Sequence, residues 1–305
     1  MIKNMTKPFI FIVIIALASC ALKGPSGIKN RLLFSEKLKE RVIERNSSVE
    51  DTPEWIEGAT RALSVQHLKE AEPEKLRGHF YCNGVFVFVH PGYHVFIERQ
   101  TKRPESLKMT KNLVEYFLSV PETFSIKSAI MKSYEAEISS AIELLSEAGF
   151  VIILILPEEN KDIKEIEWAE YRRYINEITN NSPYVFYLYS ETIQTGKLHP
   201  EDYKIFTDFV EKTGIKRIFL GGQYYNRCVY TFYKYLPRNL KRIVRIIAEW
   251  SAPEPEDITA EETISLRGHD GWIDSDSAYK LLRKRRIGKI RGGRKVIRAR
   301  EICKE

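Results

Sequence analysis

The chain has 305 residues, of which 43% are hydrophobic and 29% are charged. This length is enough for one large domain or two modest ones with a real core. The balance of apolar and charged residues excludes an intrinsically disordered chain. The formal net charge of +7 favours anionic partners or surfaces but does not identify one.

The first twenty residues have the three parts of a secretory signal peptide. Lys3 and Lys7 make the start basic, an apolar run extends from Pro8 to Ala16, and small residues close it. This run is about half of the roughly 20 residues that a bilayer-spanning helix needs. We therefore expect a signal that is removed rather than a permanent transmembrane helix.

The end of that segment, Leu17-Ala18-Ser19-Cys20, resembles the lipobox of bacterial lipoproteins. The resemblance implies that residues 1–19 are cleaved off, and that Cys20 is linked to diacylglycerol and acylated on its new amine. Each buried CH₂ group of such chains contributes about 0.8 kcal/mol to anchoring. The expected membrane partner is therefore reached through Cys20, and loss of Lys3 and Lys7 leaves a charge of +5.

Ala21 follows the cysteine. In lipoproteins of bacteria with two membranes, an Asp at this position favours the inner membrane, so the resemblance implies the outer membrane, on its periplasmic or surface face. An ordinary signal peptide that happens to precede a cysteine is the alternative. Residues 20–52 are polar and include Gly24-Pro25-Ser26-Gly27, which predicts a tether between the anchor and the domain.

Three other cysteines remain: Cys82, Cys228 and Cys303. An odd number in an oxidising compartment leaves at least one thiol free. Cys82 with Cys303 is one candidate pair, although a sequence cannot fix connectivity. The chain has no Cys-x-x-Cys spacing and no cofactor motif, so we expect neither a zinc site of that type nor a cofactor.

Residues 53–252 alternate between buried-strand and amphipathic-helix patterns. This alternation predicts an α/β domain: three layers, doubly wound, with a mainly parallel sheet of about five strands. Residues 253–305 are predicted to form an acidic loop and a basic C-terminal extension. The predicted strands are Val85–Val89, Val151–Leu156, Tyr184–Tyr189, Arg217–Leu220 and Ile243–Ala248, and the predicted helices are Ser128–Ala148, Ile163–Thr179, Pro200–Lys212 and Tyr224–Tyr235.

In open α/β sheets, ligands bind beyond the carboxyl ends of the strands. That rule turns the residues after each predicted strand into candidates for a ligand pocket. We expect the pocket to include Gly222, Gln223, Tyr224, Glu158 and Glu191. The other residues at strand ends are His90, Gly92, Tyr93, His94, Glu159, Asn160, Ser190, Thr192, Glu249, Trp250 and Ser251.

Cys228 is the candidate nucleophile. It lies six residues after Gly222, near the first turn of the next predicted helix. A helix N-terminus stabilises a thiolate, Arg227 adds positive charge, and backbone N–H groups there can form an oxyanion hole. The alternative is a small buried residue at a tight strand–helix junction, where free cysteines often lie.

The segment from Gly214 to Val229 resembles the isochorismatase-like family of cysteine hydrolases, and a looser resemblance covers residues 84–236. In that family a cysteine is the nucleophile, so the resemblance implies this role for Cys228. It likewise implies that Lys197 is the family's lysine after the third strand, and that His90 stands where the family has an aspartate at the end of the first strand. The aspartate is missing, because His90-Pro91-Gly92 ends the first strand. Either His90 or an acidic residue from the second predicted strand takes over the proton transfer, or activity is lost or altered.

The basic stretch from Ala278 to Arg300 has eleven cations and no acid. Arg283, Lys284, Arg285 and Arg286 are its densest part, and they are expected either to be solvated or to bind phosphates of anionic lipid or an envelope polymer. Nucleic acid is not an expected partner of an exported lipoprotein. His90, His94 and Tyr93 lack a clear third metal ligand, and two ordinary loop histidines are the alternative.

Two functions follow from these observations. The first is a non-catalytic envelope lipoprotein that binds a ligand or partner at the strand ends of an isochorismatase-like domain. The second is a cysteine-dependent hydrolase that cleaves an amide or ester-like bond through Cys228, helped by Lys197 and His90. The empty aspartate position favours the first.

Overall fold

The structure is a computed structural model, and it describes residues 62–93, 126–159, 161, 163, 165–267, 273–285 and 296–303. The predicted signal, Cys20, the tether, His94 and Arg286 lie outside these residues. No helix within the described ranges is both long and apolar enough to cross a membrane.

The chain forms an α/β fold around one mainly parallel sheet. The strand order is β1-β4-β3-β2-β6-β7-β8, and β5 runs antiparallel beside β4. The strands are β1 Gln66–His67, β2 Gly84–Val89, β3 Ile152–Pro157, β4 Val185–Thr192, β5 Thr195–Leu198, β6 Arg217–Gln223, β7 Val244–Ala252 and β8 Val296–Ile297.

Helices flank the sheet on both faces, as the alternating pattern predicted. They are α1 Ile126–Glu147, α2 Glu165–Thr179, α3 Pro200–Thr213, α4 Tyr230–Tyr235, α5 Arg238–Ile243, α6 Ala260–Leu266 and α7 Ser275–Lys284. The end of α3 is a capped one: Gly214 has a left-handed φ of 64°, and its N–H donates to the carbonyls of Val210 and Glu211.

The central strands are buried along their whole length. Every residue of β2 and of β3 is buried, because their β-branched and aromatic side chains pack against layers on both sides. The Phe86 ring lies 5.2 Å from that of Phe219 and 6.0 Å from that of Trp250. These contacts join β2, β6 and β7 into one core.

The chain leaves the sheet centre in two directions. From β2 it crosses to β3 on one side, and from β6 it crosses to β7 on the other. The carboxyl ends of β2 and β6 therefore flank the topological switch point, where such sheets bind ligands. Below, the carboxyl edge is the end at which the parallel strands finish, and the amino edge is the end at which they begin.

The described parts of the C-terminal extension belong to the sheet and its layers. Ala278, Leu281 and Leu282 of α7 are buried, and β8 pairs in parallel with β7. The sequence did not predict this buried helix, because its apolar residues are interspersed with many cations. Asp274 caps α7, accepting a hydrogen bond of 2.7 Å from the Ser277 N–H.

Among the described residues the sheet has eight strands rather than about five, because β1, β5 and β8 are too short to leave a periodic signal. A disulfide joins Cys82 to Cys303, with Cα atoms 5.6 Å apart, within the usual range. Cys228 is in no disulfide. The bridge ties the end of the chain to the turn before β2.

Candidate functional site

His90 is the first residue beyond β2, and it lies at the switch point. Its backbone is left-handed, with φ of 50°, and its N–H donates to the Ile155 carbonyl at 2.8 Å. The ring is fully buried. Left-handed backbone is uncommon outside glycine and is found at sites where the surrounding structure enforces it.

The hydrogen bonds of His90 define its tautomer. Its Nε2 lies 2.8 Å from the Ser190 Oγ, and the Ser190 hydroxyl donates its own proton to the Thr192 carbonyl at 2.8 Å. The Nε2 atom must therefore carry the proton and donate it to Ser190. The Nδ1 atom is left as a bare acceptor, and it has no hydrogen-bond partner within the described part of the chain.

The ring of His90 is also uncharged. Burial lowers the pKa of His90 to about 3, because a protonated imidazole loses its hydration there. A ring with so low a pKa is a weak proton acceptor at neutral pH. Its chemistry is therefore that of a fixed, neutral hydrogen-bond acceptor.

Aromatic rings lie beside this acceptor, and a second unpartnered group lies two strands away along the same edge. The Tyr93 ring stacks on that of His90 at 5.4 Å and meets that of Tyr224 edge-on at 6.3 Å. Strand register aligns Val89 with Gly222 and Gly222 with Ser251. The Ser251 Oγ is buried and has no partner among the described residues.

The loop after β2 is held by a buried network. Glu135 of α1, fully buried, accepts a hydrogen bond of 3.1 Å from the Gly92 N–H, and the Tyr171 hydroxyl donates to the Pro91 carbonyl at 2.9 Å. The sequence analysis missed Glu135. Its only signal was a carboxylate in helical register with apolar Met131 and Ile138.

Close backbone packing fixes the neighbouring turn of β6. A Cβ on Gly222, which has φ of 122°, would lie 2.0 Å from the Val89 carbonyl oxygen, so only glycine fits. The next two predicted pocket residues, Gln223 and Tyr224, are buried and joined by a cis peptide bond. These three residues of the predicted pocket therefore lie together at the switch point.

Cys228 lies in the helical segment Tyr225–Val229, which winds as a π-helix before α4. Its Sγ is 3.5 Å from the Gln194 carbonyl, to which the thiol donates. The side chain is buried, and Gly196 packs so closely that a Cβ there would lie 2.1 Å from the Cys228 carbonyl. The neighbouring Arg227 forms an ion pair with Glu254.

The other two residues of the predicted catalytic set have their own partners. The Lys197 Nζ lies 2.7 Å from both carboxylate oxygens of Glu191 and 5.3 Å from the centre of the Tyr235 ring. His90 is bonded to Ser190. Neither His90 nor Lys197 therefore makes its hydrogen bonds with Cys228.

The predicted ligand pocket divides into two parts. Glu158 and Glu191 follow β3 and β4, where Glu158 lies 3.5 Å from His199 and Glu191 binds Lys197. The glycine and aromatic residues of β6 lie at the switch point instead. Within the described ranges, no group of three or more histidine, cysteine or acidic side chains is arranged to hold a metal ion.

The predicted anionic-surface residues are partly engaged within the fold. Arg285 donates to the Asp257 carbonyl at 2.6 Å and lies 2.8 Å from Glu262. Arg283 contacts the Tyr279 ring at 5.4 Å. These contacts reduce the charge that the described part of this segment offers to a partner.

Comparison with known proteins does not place the chain in a family. No family model matches it, and neither a curated protein nor a solved structure matches it. The proposals below depend on the residues and geometry of this chain.

Proposed function

We propose that this chain is an exported lipoprotein, anchored through lipid on Cys20, whose α/β domain binds a planar ligand at the carboxyl ends of β2 and β6. The ligand carries an N–H or O–H group that donates to the His90 Nδ1. In this proposal the domain is a binding module with an isochorismatase-like architecture, and Cys228 is a structural residue.

Export is supported by two independent features. The lipobox-like Leu17-Cys20 segment follows a basic start and an apolar run. The Cys82–Cys303 disulfide belongs to the chemistry of oxidising compartments, since most cytosolic proteins keep their thiols reduced. Both features favour a protein that folds outside the cytoplasm.

The buried Nδ1 of His90 is the observation that carries the ligand proposal. Leaving a buried acceptor unpaired costs about 1–3 kcal/mol, and this one lies at the switch point where α/β sheets bind ligands. The unpartnered Ser251 Oγ lies on β7, two strands from β2, at nearly the same level. A bound donor would offset the cost at Nδ1.

The surroundings define the chemistry of the ligand. The imidazole is neutral and stacks on the Tyr93 ring, which meets the Tyr224 ring edge-on. Aromatic rings pack well on other planar groups, whereas an anionic ligand would lose its hydration close to the buried Glu135 carboxylate. A planar, uncharged molecule with one donor group fits these requirements.

Nitrogen NMR tests the ligand proposal with phenol as the probe and anisole, which lacks the donor, as its control. Phenol should shift the His90 Nδ1 resonance and raise the melting temperature, while anisole should leave Nδ1 unchanged. The His199→Asn variant, altered at an exposed position of the same edge, should respond like wild type. Equal responses to phenol and anisole, or no response, would argue against the donor site.

Fatty-acid labelling tests the anchor. A bacterium that expresses the full chain and is fed an alkyne-tagged fatty acid should label wild type and Cys228→Ser, but not Cys20→Ser. The labelled chain should partition into detergent. An unlabelled wild-type chain, cleaved or not, would show that Cys20 is not a lipid attachment site.

The hydrolase remains a second candidate because Cys228, which is in no disulfide, lies within the first helical turn after β6. Alkylation by iodoacetamide across pH distinguishes it. A binding module should leave Cys228 inert until the chain unfolds, since the thiol is buried. Fast alkylation of the folded chain near pH 6, slowed by Lys197→Ala, would favour the hydrolase.

A further inference from the structure

The amino edge of the sheet below β6 and β7 is built from a segment without acids. From Lys212 to Ala248 the sequence has no Asp or Glu, and Glu211 immediately precedes it. The cations of this stretch that the strands and α5 place at the amino edge are Lys216, Arg217, Arg238, Lys241, Arg242 and Arg245; below they are called the basic edge.

Backbone contacts confirm where these residues lie. The Lys216 N–H donates to the Asn83 carbonyl at 2.8 Å, just before β2 begins, and Arg217 donates to the Cys82 carbonyl at 3.0 Å. The short helix α5 leads directly into β7, whose first residue pairs with Ile218 of β6. The basic edge is therefore one continuous surface.

Three cations of the basic edge form no ion pair within the described chain. Lys216, Arg238 and Arg242 are exposed, and no carboxylate of the described residues forms an ion pair with them. Three cations elsewhere are paired with carboxylates: Lys197 with Glu191, Arg227 with Glu254 and Arg285 with Glu262. The basic edge is thus available to an anionic partner.

The tethered end of the chain enters the fold at the same edge. The described residues begin at Ala62, whose carbonyl accepts a hydrogen bond from Asn176 near the end of α2, and they lead into β1, which runs parallel to β4. Only 41 residues lie between Cys20 and Ala62. This connection favours a bilayer over a free polymer as the partner.

We infer that the basic edge docks on the anionic headgroups of a phospholipid bilayer, and that the carboxyl edge with its ligand site faces away from the membrane. A cation near an anionic bilayer surface is attracted to it within about a Debye length. The orientation rests on the proposed anchor at Cys20. The lipid-binding surface does not, because the unlipidated chain carries it too.

Vesicle sedimentation tests the surface with the whole proposed mature chain, residues 20–305, carrying Cys20→Ser. The probes are vesicles of phosphatidylglycerol mixed with phosphatidylcholine, and vesicles of phosphatidylcholine alone. The chain should bind the first and not the second, and added salt should release it. The double variant Arg238→Glu/Arg242→Glu should bind at least about tenfold more weakly.

A matched control makes the same charge change at the other edge. Lys161→Glu/Lys204→Glu replaces two exposed lysines, one after β3 and one in the first half of α3, and should bind like the parent. Equal weakening in both pairs would show a general charge effect and overturn the inference. Absence of vesicle binding, or binding to heparin but not to vesicles, would also overturn it.

Acetylation rates test the orientation on lipidated full-length protein in phosphatidylglycerol vesicles. Lys216 should become protected relative to the same protein in detergent, while Lys161 should keep its rate. Equal rates for both would contradict the orientation. If Cys20 proves unlipidated while the unlipidated chain still binds through its basic edge, the proposed anchor fails and the surface stands.

Discussion

The two ends of the sheet handle charge and packing differently. At the carboxyl edge, Lys197 and Arg172 are bound to carboxylates, and His90 is buried and neutral. At the amino edge, Lys216, Arg238 and Arg242 are exposed, without ion pairs in the described chain. The comparison sets a buried, neutral imidazole at one end against exposed cations without ion pairs at the other.

The disulfide holds the tail to the amino edge, and its loss should have the largest effect on stability. It closes a sequence separation of 221 residues, so the Cys82→Ser/Cys303→Ser variant should lose about 2–5 kcal/mol of unfolding free energy. Urea titration with and without reductant measures this. The Cys228→Ser chain is the control, and reductant should still lower its stability. A Cys82→Ser/Cys303→Ser variant as stable as wild type would show that the disulfide does not stabilise the fold.

Tight packing at the carboxyl edge should make Gly222→Ala strongly destabilising. The new methyl group would meet the Val89 backbone at 2.0 Å and require φ of 122°, so we expect a loss of about 3 kcal/mol, at the top of the overpacking range. Gly78→Ala is the control, because its Cβ meets nothing within 4 Å. Similar melting temperatures for the two variants would show that the edges do not differ in packing.

Removing one guanidinium at each edge compares paired with unpaired charge. Arg172 is buried and lies 2.5 Å from both Glu159 and Glu165, so Arg172→Met should cost about 1–2 kcal/mol after allowance for the exposure of Glu165. Arg238→Met should change stability by less than about 0.5 kcal/mol. Chemical denaturation measures the unfolding free energy of both variants. Equal losses would show that the paired and the unpaired guanidinium contribute alike to stability.

Acid should weaken the carboxyl edge through His90. Its pKa is about 3 in the fold and about 6.5 in the unfolded chain, so the unfolded state binds more protons between these values. The neutral ring therefore makes its full contribution to the unfolding free energy above about pH 6.5. Relative to neutral pH, the unfolding free energy should fall by about 2 kcal/mol at pH 5.

The His90→Asn variant should lack this loss, since asparagine does not titrate and tolerates left-handed backbone. The His199→Asn variant, altered at an exposed histidine of the same edge, should keep it. Urea midpoints at pH 7 and pH 5 give the comparison. Identical pH dependence in wild type and His90→Asn would show that the ring is not buried in its neutral form.

The sequence predicted the five main strands and the order of helices between them, because these elements are long and periodic. It could not predict β1, β5 or β8, which have two to four residues. It also placed Gly222 and His90 at the ends of strands. The general rule that α/β sheets bind ligands at the switch point then made both residues candidates for the site. The bond between His90 and Ser190 depends on spatial strand order, and sequence alone does not give that order.

The pairing of Cys82 with Cys303 was one of the candidates that the cysteine count allowed, and the structure contains it. The ion pair between Arg285 and Glu262 could not be predicted. The two residues are far apart in the sequence, and no local pattern links them. Similarly, the absence of acids between Lys212 and Ala248 did not by itself predict a basic surface. The sheet order brings the start of β6 and the helix α5 to the same edge.

The most direct test of the ligand site is the nitrogen spectrum of His90 with and without phenol at neutral pH. The account predicts an Nε2-protonated ring that does not titrate near neutrality, and an Nδ1 resonance that moves with phenol and not with anisole. A protonated Nδ1 in the free protein, or an Nδ1 resonance indifferent to phenol, would contradict it.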